Sequence, residues 1–136
     1  MNLIEQLERH EGLRLKPYRC TSDKLTIGIG RNLEDVGITE EEARMLLKND
    51  IANATTQLLT EYPWMTTLGE VRFAALLNFT FNVGIGTVGK FVKALAFLKE
   101  KQFDKAADEF LNSRWATQVG QRAVEVTDQI RTGEWQ

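Results

Sequence analysis

The chain has 136 residues, a formal net charge of -2, two prolines, one cysteine and one histidine. This length suits one compact domain, and the scarcity of proline argues against a long flexible linker. Dispersed Lys and Arg leave no basic patch for nucleic acid, and one Cys with one His excludes an internal disulfide and a Cys/His zinc cluster. Neither a secretory signal nor a membrane-spanning run is present, so we expect a cytosolic protein without cofactor, nucleic-acid partner or stable membrane insertion.

The first predicted elements are a helix and a β-hairpin. Residues 2–11 carry an apolar stripe at helical spacing, and Gly12 is placed as the C-terminal cap. Two short runs, "RLKPYR" and "KLTIGIG", flank the small polar residues "CTSD", a pattern typical of two strands and a turn. A third short strand is predicted near Asn32 and Leu33.

The middle of the chain predicts two helices that begin with capping boxes. Thr39 with Glu42 opens one long amphipathic helix over about residues 39–61. Thr67 with Glu70 opens a second helix, "LGEVRFAALLNFTFNVG", which is apolar nearly all round. A helix of that character is expected in the middle of a helical core.

Beyond Gly84, the segments "VGKFVKALAFLKEKQ", "FDKAADEFLNSRW" and "QVGQRAVEVTDQIRTG" predict three further helices with short connections. The fold class is therefore α+β and mostly helical, with one domain over residues 1–136. We expect a small β-containing lobe over about 12–38 and a helical lobe over about 64–136. The helix at 2–11 is assigned to the helical lobe, and the long helix connects the two.

The segment "EGLRLKPYRCTSDKLTIGIG" brings a carboxylate, a thiol and a hydroxyl close together in sequence, from Glu11, Cys20 and Thr26. Cleavage of a glycosidic bond needs a proton donor, and a Glu beside a cleft supplies one if its surroundings keep it protonated near neutral pH. Taken singly, each residue has an ordinary structural reading: a surface carboxylate, a small buried thiol and a β-branched strand residue.

The order and spacing of this segment resemble the catalytic segment of phage-type lysozymes, the endolysins of glycoside hydrolase family 24. In that family a Glu-Gly is followed by Tyr-x-Asp or Tyr-x-Cys and then by Thr-x-Gly-x-Gly. The likeness continues in "GITEEEARMLLKNDI", "RFAALLNFTFNVG", "SRW" and "RTGEW", so it covers nearly the whole chain. It implies a lysozyme-like fold with the active-site cleft between two lobes. It also implies a muramidase that hydrolyses the β-1,4 bond from N-acetylmuramic acid to N-acetylglucosamine in peptidoglycan.

The same resemblance implies roles for individual residues. Glu11 would be the general acid, Thr26 would hold the attacking water, and Cys20 would occupy the place of the usual Asp. Tyr18 and Arg122 would support the acid, Arg122 by pairing with it. The residues implied to line the saccharide cleft are Gly30, Phe81, Asn82, Arg114 and Gln118.

Cys20 has three possible roles in such a site. It could be a thiolate favoured by Arg19 or Arg14, or a neutral hydrogen-bond acceptor that positions water together with Thr26. It could also be a nucleophile that forms a covalent intermediate. We favour the first two, because the resemblance implies inversion through a water held by Thr26. Position 31 is often His in the family; we interpret Arg31 as a surface difference.

Two alternatives remain at this level: a lytic transglycosylase, which also uses one Glu, and a non-catalytic glycan-binding protein on the same scaffold. The resemblance further implies a monomer that acts on peptidoglycan. It would stay in the host cytoplasm until lysis and then reach the periplasmic cell wall through a separate holin-type pore protein.

Overall fold

The structure is a computed structural model that describes residues 2–136. The chain forms two compact units, Met1–Leu47 and Lys48–Gln136. The strands are β1 (Arg14–Arg19), β2 (Leu25–Gly28) and β3 (Arg31–Asn32). The helices are α1 (Leu3–Glu11), α2 (Glu40–Glu61), α3 (Glu70–Val83), α4 (Ile85–Val88), α5 (Val92–Lys99), α6 (Phe103–Leu111), α7 (Arg114–Val119) and α8 (Gln121–Thr132), with a 3₁₀ helix at Pro63–Thr67. The mostly helical α+β fold is thereby confirmed.

Helix α1 has a defined start and a defined end. Asn2 accepts a hydrogen bond from the Glu5 N–H at 2.9 Å, and the Glu5 carboxylate accepts from the Asn2 N–H at 3.2 Å, which makes a capping box. At the other end Gly12 adopts φ 75° and its N–H donates to the Glu8 carbonyl at 2.9 Å. Glu11 is therefore the last helical residue, as the sequence predicted.

The three strands form one antiparallel sheet in the order β1-β2-β3. Tyr18 on β1 lies opposite Thr26 on β2, and Thr26 lies opposite Asn32 on β3. Directly opposed residues share a face of a sheet, so these three side chains form one row. The predicted hairpin and the short third strand are both confirmed.

One of the two predicted capping boxes is present. Thr39 Oγ1 accepts from the Glu42 N–H at 3.0 Å and the Glu42 carboxylate accepts from the Thr39 N–H at 2.9 Å, so α2 begins as predicted. The prediction of a capping box at Thr67 and Glu70 is wrong. Thr67 ends the 3₁₀ helix and its hydroxyl donates to the Trp64 carbonyl at 2.8 Å, so Gly69 precedes α3 without a side-chain cap.

The core of the second unit is centred on α3, as the apolar character of that helix predicted. Phe79 is buried and contacts three other aromatic rings edge to face, with centroid distances of 4.8–5.0 Å. Its partners are Phe91, Phe110 and Trp115. Each such pair contributes about 0.5–1.5 kcal/mol beyond the burial of its area.

The chain after Gly84 forms five helices rather than the three predicted. The helix predicted across "FDKAADEFLNSRW" is interrupted because Ser113 has extended backbone and its hydroxyl accepts from the Ala116 N–H at 3.3 Å, which starts α7. Gly120, at φ 62°, separates α7 from α8. The assignment of residues 2–11 to the helical lobe stays a prediction.

The C-terminal end of α8 is fixed to α3 by side chains that donate to carbonyl groups. Arg72 donates to the carbonyls of Ile130 and Arg131 at 2.7 and 3.0 Å, and Gln129 donates to the Val71 carbonyl at 2.8 Å. The two bonds from Arg72 satisfy carbonyl groups that the C-terminal end of α8 otherwise leaves unpaired. Within residues 2–136, no helix combines the length and the apolar character that crossing a membrane requires.

Candidate active site

Glu11, the predicted acid, lies at the C-terminal end of α1, and its side chain is exposed. Its carboxyl group lies against Gly30, between β2 and β3. A Cβ atom built on Gly30 would lie 2.9 Å from Glu11 Oε2 and 3.0 Å from Cδ. Gly30 also has φ 77°, which L side chains rarely adopt. The positive φ therefore favours glycine here, a Cβ would have to displace the Glu11 carboxylate, and Gly30 is first of all a neighbour of the acid.

Cys20 begins the turn of the β1–β2 hairpin. Its carbonyl accepts from the Asp23 N–H at 2.8 Å and its N–H donates to the Lys24 carbonyl at 3.0 Å. Asp23 has φ 59°, in the left-handed region that Asp tolerates better than most residues. These features define a three-residue hairpin loop whose last residue is left-handed.

The loop surrounds the sulfur of Cys20 with hydrogen-bond donors. The pKa of the Cys20 thiol is lowered, first by the main chain of Lys24, then by the main chain of Ser22, against a smaller opposing effect of burial; the Thr26 side chain adds to the lowering. Clusters of main-chain N–H groups in such turns are a common way of binding an anion. Cys20 is half-buried and its thiol is free.

The arginines that the sequence offered as partners of the thiolate have other contacts. Arg19 forms an ion pair with Glu34 and donates to the Asp23 carbonyl at 3.3 Å. The guanidinium of Arg14 lies over the ring of Tyr18, 4.6 Å from its centroid. Main-chain N–H groups, rather than these two cations, therefore favour the thiolate.

Thr26 is buried, with 4% of its surface exposed, and its hydroxyl donates to the Lys24 carbonyl at 2.9 Å. The hydroxyl has one proton, so it donates either to that carbonyl or to the Cys20 sulfur. When the proton is directed to the carbonyl, both lone pairs of Oγ1 are free to accept. Thr26 is therefore able to orient a water molecule through an accepted hydrogen bond.

Tyr18 lies in the same row of the sheet as Thr26 and is half-buried beneath the Arg14 guanidinium. Its contact with Arg14 is a cation–π interaction on the sheet surface. The predicted support of Glu11 by Tyr18 stays a prediction. The structure thus brings the carboxylate next to Gly30, and the thiol next to the hydroxyl, within the first unit.

The predicted saccharide-binding residues of the second unit lie on α3 and α7. Asn82 accepts a hydrogen bond from Trp115 Nε1 at 2.7 Å, which leaves its NH₂ group available to a ligand and fixes α7 against α3. Phe81 is 44% exposed beside it. Arg114 and Gln118 are exposed and four residues apart, so they share one face of α7.

Arg122, the predicted partner of the acid, donates from Nε to Asn78 Oδ1 at 3.0 Å and from an NH₂ group to the Asn78 carbonyl at 3.2 Å. Its pairing with Glu11 stays a prediction. Asn78 was missed by sequence reasoning. The signal for it was two asparagines four residues apart, Asn78 and Asn82, because residues at this spacing lie on the same face of a helix.

An apolar recess of the second unit, about 520 Å³, does not include any of these residues. Among its lining residues only Glu70 is ionisable, and Trp135 forms part of the rim. In the described part of the chain, no group of three or more His, Cys, Asp or Glu side chains is arranged to hold a metal ion. The candidate chemistry therefore rests on Glu11, Cys20 and Thr26.

Comparisons with known proteins identify the family of the chain. The model of the family described as "Phage lysozyme" matches residues 8–131. The chain belongs to the phage lysozyme family. It is 30% identical to "Probable T4-type lysozyme 1" of Dictyostelium discoideum over 162 aligned positions, which cover 97% of the chain and 95% of that protein.

Two phage proteins named "Endolysin" are also similar. That of Acyrthosiphon pisum secondary endosymbiont phage 1 is 33% identical over 85% of the chain and 80% of its own length. That of Bacillus phage B103 is 35% identical over 79% of the chain but only 42% of its own length. The chain is accordingly a glycoside hydrolase of the lysozyme type.

The first prediction concerns the ionisation of Cys20 in this lysozyme. The rate of alkylation by iodoacetamide, followed against pH, should have a midpoint below the value of about 8.5 for free cysteine, because the loop N–H groups stabilise the thiolate. Thr26→Val should raise the midpoint, since it removes one donor. Thr56→Val, which changes an exposed threonine of α2, serves as the matched control. A midpoint at or above 8.5 would contradict the assignment.

The second prediction concerns Gly30. Gly30→Ala should lower turnover of peptidoglycan about tenfold or more, because its Cβ displaces the Glu11 carboxylate. It should also lower the free energy of unfolding by about 1–2 kcal/mol, because alanine disfavours positive φ. Gly84→Ala has a similar φ of 85° and open space around the added Cβ, so it should lose stability but keep turnover. Equal turnover in the two variants would show that Gly30 does not position the acid.

Proposed function

We propose that this lysozyme hydrolyses the β-1,4 bond between N-acetylmuramic acid and N-acetylglucosamine in peptidoglycan, with Glu11 as the general acid. The observation that carries the proposal is the arrangement of the first unit. A carboxyl group at a helix end rests on Gly30, while the Cys20 thiol and the Thr26 hydroxyl lie close together at the neighbouring turn, near enough for Thr26 to lower the pKa of the thiol. Membership of the phage lysozyme family supports the reaction class.

In the proposed reaction, water attacks the anomeric carbon while the bond from that carbon to the leaving oxygen breaks. Glu11 gives its proton to the leaving oxygen, which departs as a sugar hydroxyl. Thr26, with its own proton on the Lys24 carbonyl, accepts a hydrogen bond from the attacking water and thereby aims the oxygen lone pair at carbon. Attack from the face opposite the leaving group gives inversion.

Cys20 takes the place of the general base in this scheme. As a thiolate, its sulfur accepts the second hydrogen of the water as the new carbon–oxygen bond forms, and it also stabilises the positive charge that develops on the sugar ring. After the reaction Glu11 has lost a proton and Cys20 has gained one, and exchange with solvent restores both. The loop N–H groups favour the anion that this role needs.

The second unit is proposed to bind the glycan. Phe81 offers an exposed ring on which a sugar face can stack, and Asn82, Arg114 and Gln118 offer polar groups for its hydroxyl and acetamido substituents.

We also propose that the protein is a monomer that stays in the host cytoplasm until a separate pore protein admits it to the cell wall. The name "Endolysin" of two relatives supports this proposal. Release of active enzyme through an intact inner membrane would contradict it.

The third prediction tests the acid and the reaction together. Glu11→Gln should reduce peptidoglycan hydrolysis about 10²–10⁴-fold with an unchanged circular dichroism spectrum, because proton donation to the leaving group is lost. Mass spectrometry of wild-type digests should find reducing muramic acid ends. Anhydro-muramyl ends would instead identify a lytic transglycosylase, and retained hydrolysis by Glu11→Gln would exclude Glu11 as the acid.

The fourth prediction tests position 20. Cys20→Asp should keep turnover within about tenfold of wild type, because a carboxylate can accept hydrogen bonds from the same N–H groups and is charged at neutral pH. Cys20→Ser should lose about 10²-fold or more, since its hydroxyl stays neutral. NMR of the first product should give the inverted anomer. Full turnover in Cys20→Ala would reduce Cys20 to a packing residue, and a retained anomer would indicate covalent attack.

A further inference from the structure

Arg31 and Glu42 form an ion pair beside the proposed acid, within the first unit. Arg31 follows Gly30 directly and lies on β3, whereas Glu42 lies in the first turn of α2. An NH₂ group of Arg31 donates to Glu42 Oε1 at 2.7 Å and to the Gly37 carbonyl at 3.1 Å. Position 31 is therefore half-buried and paired, rather than the free surface residue that the sequence suggested.

Glu42 is itself held in place by the start of α2. Its Oε1 accepts from the Thr39 N–H at 2.9 Å, and its own N–H donates to Thr39 Oγ1 at 3.0 Å. The hydrogen bond from Arg31, followed by that from the Thr39 main chain, lowers the pKa of the Glu42 carboxyl to about 2. The carboxylate therefore stays charged throughout the neutral range, and Arg31 is joined to a rigid helix end.

The segment between β2 and β3 needs such an anchor. It contains Gly30 and follows Gly28, the last residue of β2; both glycines have positive φ, and glycine has more conformational freedom to lose on folding than any other residue. The Glu11 carboxyl group also rests on the Gly30 backbone, because a Cβ atom built on Gly30 would lie 2.9 Å from Glu11 Oε2. Movement of this segment would move the support of the acid.

We infer that Arg31 and Glu42 are a positioning pair for the reaction: by joining β3 to the start of α2, they fix the Gly30 backbone against which Glu11 is held. The inference rests on the proposed function, because it assumes that Glu11 is the acid. Neither residue touches the substrate. Because both side chains are partly exposed to solvent, the pair contributes little to global stability, so its effect should be found in turnover.

Glu42→Gln separates the two roles of this residue. Gln keeps the capping-box acceptor but removes the charge that binds Arg31. We expect the kcat for peptidoglycan to fall about tenfold with KM within about twofold, because a displaced acid affects the chemical step more than binding. Arg31→Gln should have the same effect, Arg31→Lys should recover part of it, and the double variant should be no worse than either single one.

Arg44→Gln is the matched control. It breaks a more exposed ion pair, Arg44 with Glu40 at 2.8 Å, at the same end of α2; because both partners belong to α2, this pair does not join the helix to β3, so kcat should not change. The unfolding temperatures of all these variants should agree within about 3 °C. A role limited to stability would instead lower the unfolding temperature of Arg31→Gln and leave kcat unchanged.

The two hypotheses fail in different ways. If Arg31→Gln matches Arg44→Gln in kcat while Glu11→Gln is inactive, the positioning role is wrong and the proposed function stands. If Glu11→Gln retains hydrolysis, both are wrong, because there is then no acid to position. Additive losses in the double variant would also overturn the inference, because the two residues would then act separately.

Discussion

The hydrogen bonds of the hairpin turn between β1 and β2 determine what a side chain at position 20 can do. The main-chain groups of Lys24 and Ser22 lower the pKa of the Cys20 thiol, and the Thr26 hydroxyl adds to this effect. Such donors stabilise an anion whatever its chemical identity. The turn therefore explains how a thiol can stand where relatives are expected to carry a carboxylate. The Lys24 carbonyl also joins the two positions, since it accepts hydrogen bonds from the Cys20 N–H and from the Thr26 hydroxyl.

Features that depend on residues close together in sequence were predictable. The end of α1 at Glu11 follows from a helical stripe closed by glycine, and the start of α2 follows from Thr39 and Glu42, three residues apart. The order of acid, thiol and hydroxyl was visible for the same reason, because one short segment contains all three. The buried central helix was also predictable, since a stretch that is apolar on every face has to be enclosed.

Features that depend on distant partners were not predictable. Arg19 precedes Cys20, but its partner is Glu34, fifteen residues away, so its nearness to the thiol in sequence was misleading. Nothing in the sequence indicated that Gly30 supports Glu11, because that contact arises from the return of the chain through the hairpin. Two neighbouring elements can also compete for the same side-chain hydroxyl. Thr67 and Glu70 have the spacing of a capping box, yet the 3₁₀ helix uses the threonine hydroxyl first.

The distribution of charge suggests how the enzyme meets its substrate. Several arginines are neutralised by carboxylates, including Arg19, Arg31 and Arg131, and the net charge is -2. Little positive potential is left to attract an anionic cell wall over long distances. Arg114 differs, because it is exposed and has no hydrogen-bonded partner among residues 2–136. In the proposed function only the glycan would compensate the desolvation of Arg114, so binding would depend on short-range contacts made once the glycan has arrived.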